Sequence, residues 1–376
     1  MRPPGLLVRR VLIDPAWIPL AVVLAALQAV LAGVALLAMP FGRRRVSRLA
    51  LFGALYALID AGLVVCCAAL WLRHPLPSRH GPTWAQRHVR LLRRTLALLV
   101  AVSRPLLGFR VELENPPAPE GVTGRPLLVL ARHGGPGDSF AIAEVMLSDW
   151  QRRPVIVLKE TLRWDPGLDI VLSRLGSCFL PAGGGRRDLP AKIAAVARQA
   201  AADDAILLFP EGGNWTPRRH RLALAKLWVR GRPKAVARAA ANPHVLPPHP
   251  AGVLACLEAR PDLEVVVVAH TGLDDLVSPA MIWRALPVGD RPMIMRWWHL
   301  PAEELPADAD LRTDWLDVQW AVVDSWIDAR KSARLRQQQP TADPAVLTAV
   351  DLAAVDLAAV EPAADSAADE ASTGVD

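Results

Sequence analysis

His133 and Asp138 stand five residues apart in the stretch Pro126-Leu-Leu-Val-Leu-Ala-Arg-His-Gly-Gly-Pro-Gly-Asp-Ser139. An imidazole held by a carboxylate can take a proton from a hydroxyl, because the acid orients the ring and stabilises the imidazolium. On a regular helix that spacing would set the two side chains about 140° apart. Pairing therefore needs a turn, and Gly134, Gly135, Pro136 and Gly137 supply one. A blander reading competes: Asp138 as a helix N-cap and His133 as a satisfied histidine at a strand end.

A second constellation is Phe209, Pro210, Glu211, Gly212 and Gly213, followed by Asn-Trp-Thr-Pro-Arg218-Arg219. Like the first, it follows an apolar run, and ligands of α/β sheets gather at the carboxyl ends of strands. Thr216 and Pro217 read as N-cap and first helical residue. Arg218 and Arg219 then fall in a first turn whose dipole prefers anions, which suits a bound anion or, more plainly, a solvated basic helix end. Lys159, ending its own strand, and Arg186 and Arg187, after Gly183-Gly-Gly, are further candidate cations. His220, His244, His249, His270 and His299 have no metal-ligand spacing and read as structural or surface residues.

Alternating apolar runs predict the elements that hold these residues. Strands are expected at 127–131, 155–158, 178–180, 205–209 and 264–269, with an edge strand at 292–298. Helices are expected at 139–149, 161–175 and 191–202, and a terminal one at 312–334 with Trp315, Trp320 and Trp326 as core. This alternation predicts an α/β fold: a mixed, largely parallel sheet flanked by helices.

Ahead of it, the apolar runs 17–39 and 49–72 are each long enough to cross a bilayer, which takes about 20 residues. They predict an N-terminal membrane helical hairpin that spans the bilayer or dips into one leaflet. Asp60 lies mid-run, where an acid costs roughly 2.5–3.5 kcal/mol on insertion scales. Arg87, Arg90, Arg93 and Arg94 precede an apolar stretch too short to span. That segment is a basic helix, lying on a membrane surface or packed on the body. The expected organisation is thus membrane helices over 1–82, a basic connector over 83–114, the α/β domain over 115–336 and a disordered acidic tail over 337–376.

Residues 1–336 carry 43 basic against 29 acidic residues, a net +14. Such a body seeks anions. The basic runs lack the aromatic interleaving of a nucleic-acid module, so no nucleic acid is expected, and the apolar N-terminus favours lipid. Cys66, Cys67, Cys178 and Cys256 make neither a disulfide framework nor a metal site.

The strand followed by His133 and Asp138, with Phe209-Pro210-Glu211-Gly212 beyond it, resembles the glycerolipid acyltransferase family, whose best-known branch is the 1-acylglycerol-3-phosphate acyltransferases. The resemblance covers about 126–300. Val157-Leu-Lys159-Glu-Thr-Leu162 lies where the family has a Lys-containing segment, and Val245-Leu-Pro-Pro-His-Pro-Ala-Gly252 resembles its Leu-Pro-Pro region. The resemblance implies transfer of a fatty acyl group from acyl-CoA or acyl carrier protein to a lysophospholipid hydroxyl. It makes His133 the base and Asp138 its orienting group, puts Glu211 and Gly212 in the acceptor site, and calls for no resident cofactor. The apolar N-terminus places the chain at the cell membrane, and the arginine counts around the hairpin and the cysteine usage put both its ends and the catalytic domain on the cytoplasmic side. Two departures stand out: Ala182 occupies the position of the family's acceptor-motif arginine, and Arg132 stands where many members have Asn.

Three alternatives remain: an acyltransferase with another lysolipid or glycolipid acceptor, an esterase with Ser139 in Gly137-Asp138-Ser139 as nucleophile, and a catalytically silent membrane scaffold.

Overall fold

The computed structural model describes residues 2–38, 44–74, 81–114, 124–135, 137–181, 188–274, 276, 278–289 and 291–338. The loop 115–123, Arg186 and Arg187 with Ala182, and the tail from 339 lie outside the described residues. Seven strands form one sheet: β1 (Val111–Leu113), β2 (Leu127–Ala131), β3 (Arg153–Lys159), β4 (Cys178–Leu180), β5 (Asp204–Leu208), β6 (Glu264–Thr271) and β7 (Met293–Leu300). Their order is β1-β7-β6-β2-β5-β3-β4. From β6 to β4 all pairs are parallel, while β7 runs antiparallel to β6 and pairs in parallel with β1. The sheet is mixed and mostly parallel, as the alternation of apolar runs predicts.

Strands β2, β5 and β6 are buried along their whole length. They read as unbroken apolar runs because helices cover both faces. Along β2, Leu127, Val129 and Ala131 enter one core, and Leu128 and Leu130 the other. Two local expectations change. The 292–298 run is interior, because the three-residue strand β1 takes the edge beside it. β1 lies N-terminal to the boundary drawn at 115, and three residues before a Pro-rich loop carry no periodicity to detect. The helix expected over 161–175 is also broken. A 3₁₀ turn covers Glu160–Trp164, and helix α5 (Pro166–Arg174) starts anew with Asp165 accepting from the Leu168 N–H. Proline at a first helical position suits a restart.

At the N-terminus, α1 (Asp14–Ala38) and α2 (Arg44–Arg73) are apolar and long enough to cross a membrane. They pack on each other through Ala21, Ala57 and Ala61, and the Ser47 hydroxyl donates to Ala32 O at 3.0 Å. Asp60 lies in this contact zone rather than in lipid. It is 4% exposed and accepts from the Gly167 N–H at 3.3 Å, in the first turn of α5, where the helix dipole favours an acid. Gly167 is required there, since a Cβ would meet Asp60 Oδ1 at 2.1 Å. Ahead of α1, Arg9 and Arg10 pair with the buried Asp169 of α5, each at 2.9 Å. Farther along, Arg174 donates to Cys67 O at 2.8 Å. Tyr56, Asp60 and Cys67 thus meet Asp165, Gly167 and Arg174 in the same order, so α2 runs parallel to α5. Because α5 starts near the carboxyl end of β3, the earlier part of α2 projects past the carboxyl ends of the strands.

The basic connector is helix α3 (Pro82–Leu107), closed by Gly108 at φ 72°. Trp84, His88, Leu92 and Leu96 bury one face in the body, whereas Arg87, Arg90 and Arg94 are exposed. It is packed on the domain along its apolar stripe. The remaining helices are α4 (Asp138–Ser148), α6 (Leu189–Gln199), α7 (Pro217–Val229), α8 (Pro233–Ala241), α9 (Pro250–Ala259), α10 (Pro279–Ala285) and α11 (Ala309–Gln338). Residues from Ala329 onward form a second unit.

Candidate active site

β2 ends at Ala131, and the chain turns through Arg132, His133, Gly134 and Gly135 before α4 begins at Asp138. Gly137, at φ 90°, takes the left-handed conformation that only glycine adopts cheaply. The fold-back puts His133 Nδ1 2.7 Å from Asp138 Oδ2. That oxygen also accepts from the Gly134 and Gly135 N–H groups at 3.0 and 3.3 Å. Oδ1 accepts from Ser139 N and Ser139 Oγ at 2.6 and 3.1 Å. Asp138 is 1% exposed. Burial works against its charge, but the His133 hydrogen bond, aided by the Gly135 N–H, holds the carboxyl below the usual carboxylate range. With Nδ1 committed to an ionised acid, the partly exposed His133 ring keeps Nε2 for a proton from outside.

The second constellation lands on the first. Phe209 lies against the His133 ring, with centroids 4.6 Å apart and planes tilted by 33°. Glu211 turns inward instead of towards the open edge. Its Oε2 accepts from His133 N at 3.3 Å, and its Oε1 accepts from Leu246 N and Trp320 Nε1 at 3.3 and 3.2 Å. Pro210 O accepts from His249 N at 2.9 Å, and Trp215 N donates to His133 O at 2.7 Å. Glu211 therefore fixes the backbone that carries His133, while Gly212, at φ 68°, stays exposed. Burial pushes the Glu211 carboxyl up to about 7, with the nearby Arg132 charge and three hydrogen bonds acting against the rise.

A carboxyl that binds its proton more tightly when folded stabilises most below its unfolded pKa, and the contribution fades as pH rises through the folded value. Between pH 4.5 and about 7 the native protein should lose roughly 3 kcal/mol of stability that a Glu211→Gln variant does not lose. Urea midpoints of both proteins across this range measure the difference, and parallel pH profiles would refute it.

The outlying cations are less concentrated. Lys159 is exposed at the carboxyl end of β3. Arg218 and Arg219 are exposed in the first turn of α7, where Thr216 caps the helix by accepting from Arg219 N at 3.1 Å. Arg219 folds back onto Asn214 O at 3.0 Å and fills the space beside Gly213. Arg218 is thus left facing solvent.

Sequence reasoning passed over the group behind the histidine. Arg132 is 0% exposed. It pairs with Asp274 and donates to His244 O at 3.1 Å and His270 O at 2.9 Å. His270, read as structural or surface, is fully buried, with Nε2 2.9 Å from Arg132 O and 3.6 Å from Asp138 Oδ2. Burial lowers its pKa, so it stays a neutral wall to the site. One signal was present: Arg132 and His270, like His133, are polar side chains closing apolar strands.

Residues 109–247, which include His133, Asp138 and Phe209–Gly213, match the family model described as Acyltransferase. No curated protein matches the chain. Among solved structures it is similar to the 1-acyl-sn-glycerophosphate (LPA) acyltransferase PlsC from Thermotoga maritima. The sequences are 15% identical, the TM-score is 0.44, and the match covers 75% of this chain and 97% of that one.

Proposed function

We propose that the chain, whose residues 109–247 match the Acyltransferase family model, moves a fatty acyl group from a thioester to the free hydroxyl of a lysophospholipid. The observation that carries this reading is the 2.7 Å contact of His133 with a buried, ionised Asp138. In the proposed step, His133 Nε2 accepts the hydroxyl proton as the acceptor oxygen attacks the thioester carbonyl. The carbon–sulfur bond breaks, and the proton passes to the departing sulfur. Ester and thiol are the products, and no acyl-enzyme forms. General-base help contributes about 10²–10⁴-fold, and alignment of the two reactants supplies much of the remainder.

The donor in this reading is acyl-CoA or acyl carrier protein, and the acceptor is 1-acylglycerol-3-phosphate. A phosphate arriving at the carboxyl ends of the strands meets Lys159 and Arg218, and no resident cofactor is invoked. The N-terminal helices anchor the domain at the cell membrane, with the body on the cytoplasmic side where thioesters are supplied. Exposed apolar side chains run along α1 from Leu20 to Leu37, which suits a hairpin that spans the bilayer or enters one leaflet.

Ser139 separates this reading from hydrolysis, because its hydroxyl donates to Asp138 rather than to His133. Full-length protein in vesicles, given oleoyl-CoA and a panel of lysolipids, should form diacyl product by mass spectrometry, and Ser139→Ala should retain most of that transfer. An inactive Ser139→Ala protein of native fold, or release of free fatty acid alone, would sink the mechanism.

A further inference from the structure

Helices α7 and α8 form an arm whose two ends are held at consecutive residues of the catalytic turn. Trp215 N donates to His133 O just before the arm, and Arg132 Nε donates to His244 O just after it. From Pro217 to Ala241 the sequence has eight basic residues and no acidic one. Only His220 of α7 is buried, with Nε2 donating to Ala239 O at 3.0 Å. At the turn between the helices, Trp228 is 70% and Val229 84% exposed. Among the described residues, Lys226, Arg230, Arg232 and Lys234 have no acidic partner. Arg238 does have one, pairing with Asp314 and Asp317 at 2.8 and 3.1 Å and tying α8 to α11.

An exposed tryptophan beside an exposed valine, flanked by unpaired cations, has the chemistry of a headgroup region: an apolar body for the interface, a ring N–H for its polar side, and positive charge for anionic lipid. The apolar tip is two residues wide. That is too little for the roughly 800 Å² per partner of a stable protein interface, but enough to enter a bilayer surface. The arm also lies opposite the N-terminal helices. α2 sends Leu63 and Val64 into the core on the Val129 side of the sheet. The arm leans on α11, whose Leu316 and Trp320 belong to the Leu128 side.

We propose that the α7–α8 arm is a second bilayer contact, docking Trp228 and Val229 with the surrounding cations onto an anionic lipid surface. The catalytic turn would then be held against the membrane from both faces of the sheet. This placement does not depend on which acyl group or acceptor the enzyme uses.

Hydrogen exchange by mass spectrometry on the full chain tests it in phosphatidylcholine vesicles with and without phosphatidylglycerol. Protection of the N-terminal helices in both vesicle types confirms insertion. Residues 217–241 should exchange several-fold more slowly only when phosphatidylglycerol is present, and high salt should abolish the difference by screening. Trp228→Ser with Val229→Ser, and separately Arg230→Glu with Arg232→Glu, should remove this protection while exchange in β2 and β6 stays native. Equal exchange of the arm in the two vesicle types would overturn the proposal. So would protection that appears in phosphatidylcholine only on adding acyl carrier protein, which would assign the arm to an acidic protein instead.

Discussion

Replacing His133 by Ala should lower acyl transfer by about 10²–10⁴-fold, the usual worth of a positioned general base. Thermal stability should change little, because the ring is half-buried and its one ring hydrogen bond goes to Asp138. Asp138 needs a gentler change. Its carboxylate also holds the turn through the Gly134 and Gly135 N–H groups, so Ala would disturb the fold as well as the chemistry. Asn keeps an acceptor of similar shape and removes the charge that steadies an imidazolium, so Asp138→Asn should lower kcat with KM nearly unchanged. That split identifies a group acting on the transition state rather than on binding. The double variant should be little worse than either single one, since the pair works as a unit. Single-turnover assays with oleoyl-CoA would decide the matter. Full turnover by His133→Ala would remove the general-base role from His133.

The parts of this fold that were legible in the sequence share one property, which is that a short window contains the whole cause. β2, β5 and β6 are apolar runs because both faces are covered, and the glycine turn shows that His133 and Asp138 can approach. Where cause and residue are far apart in the chain, the reading failed or stayed open. Asp60 looked like an expensive acid in lipid until Gly167 supplied an N–H from a distant helix. Glu211 was expected in the acceptor site, and its own window gives no sign that Trp320 and Leu246 donate to it. β1 is a strand only because β7 offers it an edge. Arg132 looked like a departure from a familiar pattern, and its partners arrive from His244, from β6 and from the segment that follows it.

Arg132 carries the largest stability prediction. It is a buried cation between two buried acids: it pairs with Asp274 and opposes the rise of the Glu211 pKa. Asp274 has supporting hydrogen bonds from Thr271 Oγ1 at 2.6 Å and the Gly272 N–H at 3.0 Å. Removing one member of such a pair strands the other, which typically costs 3–5 kcal/mol. Arg132→Met should therefore destabilise the protein by about that amount in urea melts. A companion Asp274→Asn change should recover a large part, because it removes the stranded charge while Asn can still accept from Thr271 and Gly272. Without Arg132, the Glu211 carboxyl should also hold its proton to higher pH, so the stability loss of Arg132→Met should grow as pH rises above about 7. If Arg132→Met alone were as stable as the parent, or if Asp274→Asn made it worse, the buried charges would not be coupled. The backbone of His133 would then owe its position to Glu211 and Trp215 alone. Coupling makes the departure from asparagine at this position intelligible, because an arginine here requires an acid that a neutral residue would leave unpaired.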